Sequence, residues 1–256
     1  RALAGIAAEA SVALGRAQMF DVEHTIAVTL QRSLLSEQVP SVEGWRIDPW
    51  YSPSNELLMV GGDLYDVVAL PDGRFVIVVG DVVGHGLDAA SSLGQLRSAS
   101  RALALDRTRP AEMLDRLDRF AASTPGIRGA TLCCAIIEPS GWGRYACAGH
   151  PYPVLVDADG ATLLTEGRFP LLGYGGGARR DDAELMVEPG ASLVLYTDGV
   201  VERPDESIDD GFERLRRVVR TIDFRNGEHP ARAVGDAMMP GERRDDAVVV
   251  CVTRTG

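Results

Sequence analysis

The chain of 256 residues is 45% hydrophobic and 25% charged, the balance of an ordinary globular protein, which excludes disordered and collagen-like classes. Its 37 acidic residues outnumber 26 basic ones, all Arg, for a net charge of -11, so the summed field repels nucleic acid and anionic lipid, and neither is expected as a partner. No run of roughly 18 or more apolar residues signals a membrane span and no leader opens the chain, so it reads as soluble and cytoplasmic. In chain order, Leu3, Ile6 and Ala10, then Val22, Ile26, Leu30 and Leu34, recur at helical spacing. Residues 1–38 are therefore expected to form a helical linker or regulatory segment, and residues 39–256 the functional domain. Because the chain opens at Arg1 inside a helical pattern, it reads as a piece of a longer polypeptide, and the helix either packs on the following domain or connects to one upstream.

Pro40 and Gly44 end that pattern. Runs with β character follow at Arg46–Tyr51, Leu57–Val60, Leu64–Leu70 and Arg74–Val83, the last two joined by the turn Pro71-Asp72-Gly73. The spacing of Ala89, Ala90, Leu93, Leu96 and Ala99 predicts a helix over Leu87–Leu105, and Pro110 suits the first turn of another reaching Ala122. Strands are then expected at Ala130–Glu138, Gly143–Ala148, Pro153–Asp157, Thr162–Leu164, Asp182–Val187, Ser192–Thr197 and Ala247–Thr253. Helices are expected at Gly211–Ile222 and His229–Met239. Strands joined by hairpins, with helices in pairs, predict an α+β fold of antiparallel sheets covered by helices, not a doubly wound parallel sheet. The cysteines Cys133, Cys134, Cys147 and Cys251 lack C-x-x-C spacing and read as reduced, buried thiols.

Chemistry enters with four Asp residues at strand ends: Asp63 after Gly61-Gly62, Asp81 after Gly80, Asp198 before Gly199, and Asp245 beside Asp246. Each alone is an ordinary turn residue. Together, converging at one end of a sheet, they repel one another unless cations sit between them. Oxygen-only donors select Mg²⁺ or Mn²⁺, and the lack of a His/Cys constellation argues against zinc. Two such ions sharing a carboxylate activate a bridging water toward a phosphate ester. No nucleophile elbow or Cys-based phosphate loop offers a competing route.

The ordered segments Gly61-Gly62-Asp63-Leu64-Tyr65-Asp66, Asp81-Val82-Val83-Gly84-His85-Gly86, Ala148-Gly149-His150-Pro151, Tyr196-Thr197-Asp198-Gly199 and Arg244-Asp245-Asp246-Ala247 resemble the motifs of the metal-dependent protein phosphatases, the PPM family, in the branch of SpoIIE and RsbU. The resemblance runs from about Leu30 to Val252. It implies two antiparallel sheets packed as a sandwich with helices on the outer faces, and a site holding two Mn²⁺ or Mg²⁺ ions. It also implies that Asp81 is shared by both ions with the Val82 carbonyl beside it, that Asp63 serves one ion, and that Asp198 and Asp245 serve the other. Asp246 and Asp66 are then candidates for orienting a ligand or a water. The implied substrate is phosphoserine or phosphothreonine on a STAS-type anti-anti-sigma factor, in control of an alternative sigma factor, with a homodimer through the N-terminal helix as a further expectation.

Several positions stay open at this point. His85 is read either as a general acid or as a structural residue before a helix, since three residues separate it from Asp81 where the eukaryotic pattern has one. His150 reads as structural, and no Arg is assigned to the phosphate. The acidic stretch from Arg203 to Gly211 is read as a solvated loop or as a flap beside the site, and Gly173-Tyr174-Gly175-Gly176-Gly177 as a mobile loop. Two rivals compete: Gly84-His85-Gly86-Leu87-Asp88-Ala89 matches a dinucleotide-binding fingerprint, and a phosphatase-like fold can serve as a catalytically silent sensor or docking module. Asp81 opposes the first by repelling a pyrophosphate; the presence of all four Asp opposes the second.

Overall fold

The computed structural model describes residues 11–19, 22, 25, 39–53, 61–84, 86–177, 181–241 and 245–256. The expected strand Leu57–Val60, the side chains of His85 and Arg244, and the apolar rows Leu3 to Ala10 and Ile26 to Leu34 lie outside the described residues. Residues 11–19 are helical.

Strands follow in chain order as β1 (Trp45–Ser52), β2 (Asp63–Ala69), β3 (Phe75–Asp81), β4 (Thr131–Ile137), β5 (Trp142–Ala148), β6 (Val154–Asp157), β7 (Gly160–Leu163), β8 (Arg168–Phe169), β9 (Ala183–Met186), β10 (Ser192–Tyr196) and β11 (Ala247–Arg254). The helices are α1 (Leu87–Leu105), α2 (Pro110–Ser123), α3 (Ile208–Val219) and α4 (Pro230–Met238). One sheet runs β1-β11-β10-β6-β7 and the other β2-β3-β4-β5-β8, with β9 also on β5. All strand pairs are antiparallel except β5 with β8.

Side-chain alternation sorts each strand into layers. On β3, Phe75, Ile77 and Val79 face the opposing sheet while Val76 and Val78 face α1 and α2. On β11, Val248, Val250 and Val252 enter the space between sheets, and Ala247, Val249 and Cys251 lie under α3 and α4. Burial on both faces explains why these strands read as continuous apolar runs in the sequence. The inner layer holds Trp45 edge-on to Phe75, ring centroids 5.1 Å apart, and the facing thiols of Cys133 and Cys147, 3.1 Å apart. All four cysteines are free and buried. The result is the expected sandwich of two sheets between outer helices.

Two details differ from expectation. The third helix begins at Ile208, three residues before Gly211, because Ser207 accepts from the Asp210 N–H while the Asp210 carboxylate accepts from the Ser207 N–H, a reciprocal cap that converts half of the acidic stretch into helix. The two-residue β8 was not anticipated; a parallel pair this short leaves no periodicity to read. The segment matching a dinucleotide fingerprint leads through α1 and α2 into β4, which lies antiparallel to β3, so it lacks the parallel strand-helix-strand unit that such a site needs.

Candidate metal centre

The strand register brings the acids together. Asp63 opens β2 directly opposite Asp81 at the end of β3. The 3₁₀ turn Asp198–Val200 follows β10, and Asp245 and Asp246 precede β11, its neighbour in the other sheet. Both sheets therefore present carboxylates at one shared edge. Glycines let the pieces close: a Cβ on Gly62 would fall 2.1 Å from the Val82 carbonyl oxygen and 2.3 Å from Asp81 Oδ1. One on Gly61 would overlap Asp246 Oδ2 at 1.0 Å, and one on Gly199 would lie 2.1 Å from the Asp246 carbonyl oxygen and 3.5 Å from the Asp245 Cβ. The Gly-Gly-Asp and Asp-Gly motifs are thus packing requirements of the site.

The electrostatics show the crowding. Asp81 is pushed up to about 8, first by burial and then by the charges of Asp198, Asp245 and Asp246. Asp63 is raised by burial and by Asp81, against the opposing pull of a hydrogen bond from Thr197. Asp198 is raised by burial, Glu202 and Asp245. Each carboxylate carries a repulsion that a cation relieves. Among the described residues, no three His, Cys, Asp or Glu side chains close on one point as a ready-made cage. Their oxygens have local partners: Thr197 Oγ1 donates to Asp63 Oδ2 at 2.7 Å, the Gly199 N–H donates to Asp198 Oδ1 at 2.9 Å, and the Asp246 N–H donates to Asp245 Oδ1 at 2.8 Å. The donor set nonetheless fits a hard divalent cation, being all carboxylate and carbonyl oxygen at a glycine-lined edge.

Neighbouring side chains hold this edge in shape. Thr197 Oγ1 also accepts from the buried Val248 N–H at 2.9 Å, so one hydroxyl links Asp63 of one sheet to β11 of the other. Tyr51 donates to Asp246 Oδ2 at 3.1 Å. His150, 1% exposed, spans from Thr131, opposite Asp81, to Tyr196, two residues before Asp198. The Tyr196 carbonyl can only accept, so Nε2 carries the proton and Nδ1 accepts from the Thr131 hydroxyl. Burial depresses His150 to about 3, which makes it the structural brace expected of it. His150 is read as structural from the sequence and Thr197 stands beside Asp198 there; the reach of Thr197 to Asp63 and of Tyr51 to Asp246 leaves no local signal.

Asp66 takes a different role from the one entertained in the sequence. It lies on the opposite face of β2 from Asp63 and receives Arg101 Nη1 on both oxygens at 2.7 and 2.8 Å, with Arg97 at 3.5 Å. An odd residue separation sends the two side chains to different layers, so Asp66 ties β2 to α1. The glycine loop is also less free than expected: the N–H groups of Gly173 and Gly175 donate to the buried Asp118 of α2 at 2.8 and 3.0 Å.

Two antiparallel sheets between helix pairs, with carboxylates gathered where both sheets end, place the domain in the class of PP2C-type phosphatase folds. The solved PP2C phosphatase domain of SpoIIE from Bacillus subtilis shares it with a TM-score of 0.67 over 82% of this chain and 64% of that one, at 15% identity, which bears on fold alone. Residues 71–255 match the family described as Stage II sporulation protein E (SpoIIE), and the chain belongs to that family. It is similar to the RsbU and RsbW domains of Rv1364c from Mycobacterium tuberculosis, 32% identical with a TM-score of 0.76 over 84% of this chain and 61% of that one. It is also 27% identical over 186 residues to the phosphoserine phosphatase RsbP of Bacillus subtilis (strain 168), 70% of this chain and 45% of RsbP. The chain spans between 31% and 56% of the curated relatives it matches. Among the described residues no helix is long and apolar enough to cross a membrane.

Proposed function

We propose that this chain is a metal-dependent phosphoprotein phosphatase that hydrolyses phosphoserine or phosphothreonine on a STAS-type anti-anti-sigma factor in control of an alternative sigma factor. The observation that carries this reading is the meeting of Asp63 and Asp81 from one sheet with Asp198 and Asp245 from the other. Similarity to RsbP, RsbU and the RsbU domain of Rv1364c supports both the activity and the class of partner.

In this reading Asp63, Asp81, Asp198, Asp245 and the Val82 carbonyl hold two Mn²⁺ or Mg²⁺ ions. Bound there, the cations supply Lewis acidity toward the phosphoryl oxygens and acidify a water nucleophile. The chain's own residues fix the geometry. Thr197 holds Asp63, Tyr51 holds Asp246 behind Gly61, and His150 sets the spacing between the strands that carry Asp81 and Asp198. His85 lies outside the described residues and is given no role. Residues 1–38 are assigned as a linker through which a homodimer forms; Val12, Leu14, Met19 and Val22 expose 57–68% of their surface and offer the apolar side chains for it. Deleting residues 1–30 then changes cation affinity or oligomeric state, and unchanged values for both refute that assignment.

The deciding experiment compares wild type and Asp81→Asn for Mn²⁺-dependent hydrolysis of a phosphorylated STAS-domain protein and of p-nitrophenyl phosphate, with Mn²⁺ binding by calorimetry alongside. Loss of turnover by about 100-fold or more, together with weakened Mn²⁺ binding, is expected of a direct ligand. Wild type without turnover on either substrate overturns the reading and favours a silent docking module.

A further inference from the structure

The rim beside Asp81 carries a cation that the metal centre does not use. Thr131 sits opposite Asp81 at the start of β4, so the loop just before it, residues 126–130, borders the carboxylate edge. That loop is bonded to the segment after β8: the Gly129 N–H donates to the Leu172 carbonyl at 2.8 Å and the Leu172 N–H to the Ala130 carbonyl at 3.0 Å. Gly129, at φ +94, is flanked by Val83 and Tyr174; a Cβ there would lie 3.3 Å from Val83 Cγ2 and 4.0 Å from the Tyr174 ring. Val83 directly follows the Val82 carbonyl assigned to the cations.

Three side chains on this rim are large, apolar and exposed: Val83 at 65%, Tyr174 at 57% and Leu171 at 39%. Beyond residue 40, the remaining exposed ones among the described residues, Leu87, Leu105, Met186 and Ile208, lie on other elements. Exposed apolar side chains that cluster beside a site mark a contact surface more often than chance scatter does. Arg128 completes the patch. Its guanidinium carbon lies 4.7 Å from the Tyr174 ring centroid, a cation–π geometry, and it is exposed. No carboxylate or carbonyl among the described residues accepts from it. Tyr174 is in turn fixed by the two bonds that Asp118 accepts from its neighbours Gly173 and Gly175. A stacked, pre-set guanidinium with unused donors selects a carboxylate on whatever approaches. In a chain of net charge -11, such a cation beside the acids distinguishes one partner face from another.

We infer that Arg128, stacked on Tyr174 and bordered by Val83 and Leu171, is the docking element for the protein substrate: it takes an acidic side chain, within an apolar surface, next to the phosphorylated residue. The inference rests on the phosphatase reading and adds the face by which the substrate is chosen. Arg and Tyr at the centre of an exposed patch are also the side chains most often found to dominate protein interfaces.

The test measures kcat and KM with a phosphorylated STAS-domain protein for wild type, Arg128→Gln, Tyr174→Ala and Tyr174→Phe, with Arg116→Gln on the exposed face of α2 as the surface control. Arg128→Gln and Tyr174→Ala are expected to raise KM about tenfold at constant kcat, equivalent to about 1.4 kcal/mol. Tyr174→Phe keeps the ring and is expected to match the control. A KM for Arg128→Gln equal to that of the control overturns the inference, and so does a fall in kcat at constant KM, which would place Arg128 on the reacting phosphate. Wild type that hydrolyses p-nitrophenyl phosphate but not the STAS-domain protein keeps the phosphatase reading and overturns the docking face. Wild type inactive on both overturns the two together.

Discussion

Replacing Thr197 by Val isolates the hydroxyl that joins the two sheets. The volume is nearly unchanged, but two buried groups lose their partner: the Val248 N–H, bonded at 2.9 Å, and Asp63 Oδ2, bonded at 2.7 Å. An orphaned buried donor costs about 1–3 kcal/mol, and the lost bond to the Asp63 carboxyl, which burial and Asp81 push toward its neutral form, about 0.5–1.5 kcal/mol, which places the variant about 3 kcal/mol below wild type. Thr197→Ser keeps both bonds and loses one methyl group, about 1 kcal/mol. Urea unfolding at neutral pH in a cation-free buffer is therefore expected to separate the two variants by about 2 kcal/mol at equal slope, or roughly 4–8 °C in melting temperature for a chain of this size. Variants within about 1 kcal/mol of each other would refute the argument, because the hydroxyl would then carry none of the assigned burden.

His150 gives a pH prediction. Its folded value of about 3 lies below the ordinary 6.5, so its contribution is complete above pH 6.5 and is lost as pH falls toward 3. Between pH 7 and 5 the stability difference between wild type and His150→Gln is expected to shrink by about 2 kcal/mol, read by urea unfolding at both values; a constant difference refutes it. Gly62→Ala drives a Cβ against the Val82 carbonyl and Asp81, and Mn²⁺ affinity by calorimetry should fall at least about tenfold. Arg101→Met removes the closer of the two guanidinium groups on the buried Asp66, leaving Arg97 at 3.5 Å and the Val67 N–H at 3.0 Å; about 2 kcal/mol of destabilisation is expected, below that of a fully buried pair because Arg101 is half exposed. Ser207→Ala removes the cap of α3 at about 1 kcal/mol, measurable by thermal unfolding.

Which parts of this molecule the sequence announces follows from the kind of signal each part leaves. Helix α1 spans Leu87–Leu105 as its small and apolar spacing predicts, and Pro110 opens α2, because both signals are local. The candidate site acids can be singled out because Asp beside Gly at the end of an apolar run is also local. What escaped depends on partners far away in sequence. Asp66 looks like one more motif carboxylate until Arg101, 35 residues on, meets it on the face of β2 opposite Asp63. Thr197 reaches Asp63 across 134 residues, and no periodicity reports that. The early start of α3 is a different case: Ser207 and Asp210 stand three apart as a capping pair, and the surrounding acidity masked a signal that was present.

The strand order has a consequence for how the site comes into being. β11, the last of the described strands in chain order, lies inside its sheet between β1, the first of them, and β10. Asp245 and Asp246 enter with it. Until β11 emerges from the ribosome, β1 keeps an open edge and the site holds Asp63, Asp81 and Asp198 without Asp245 and Asp246, so the centre assembles only when β11 slides into the gap. Contacts this distant in sequence slow folding, and the unpaired edges they leave meanwhile are where a nascent copy is most exposed to mispairing. The hydrolytic capacity proposed for this domain is accordingly gained in one late step rather than built up along the chain.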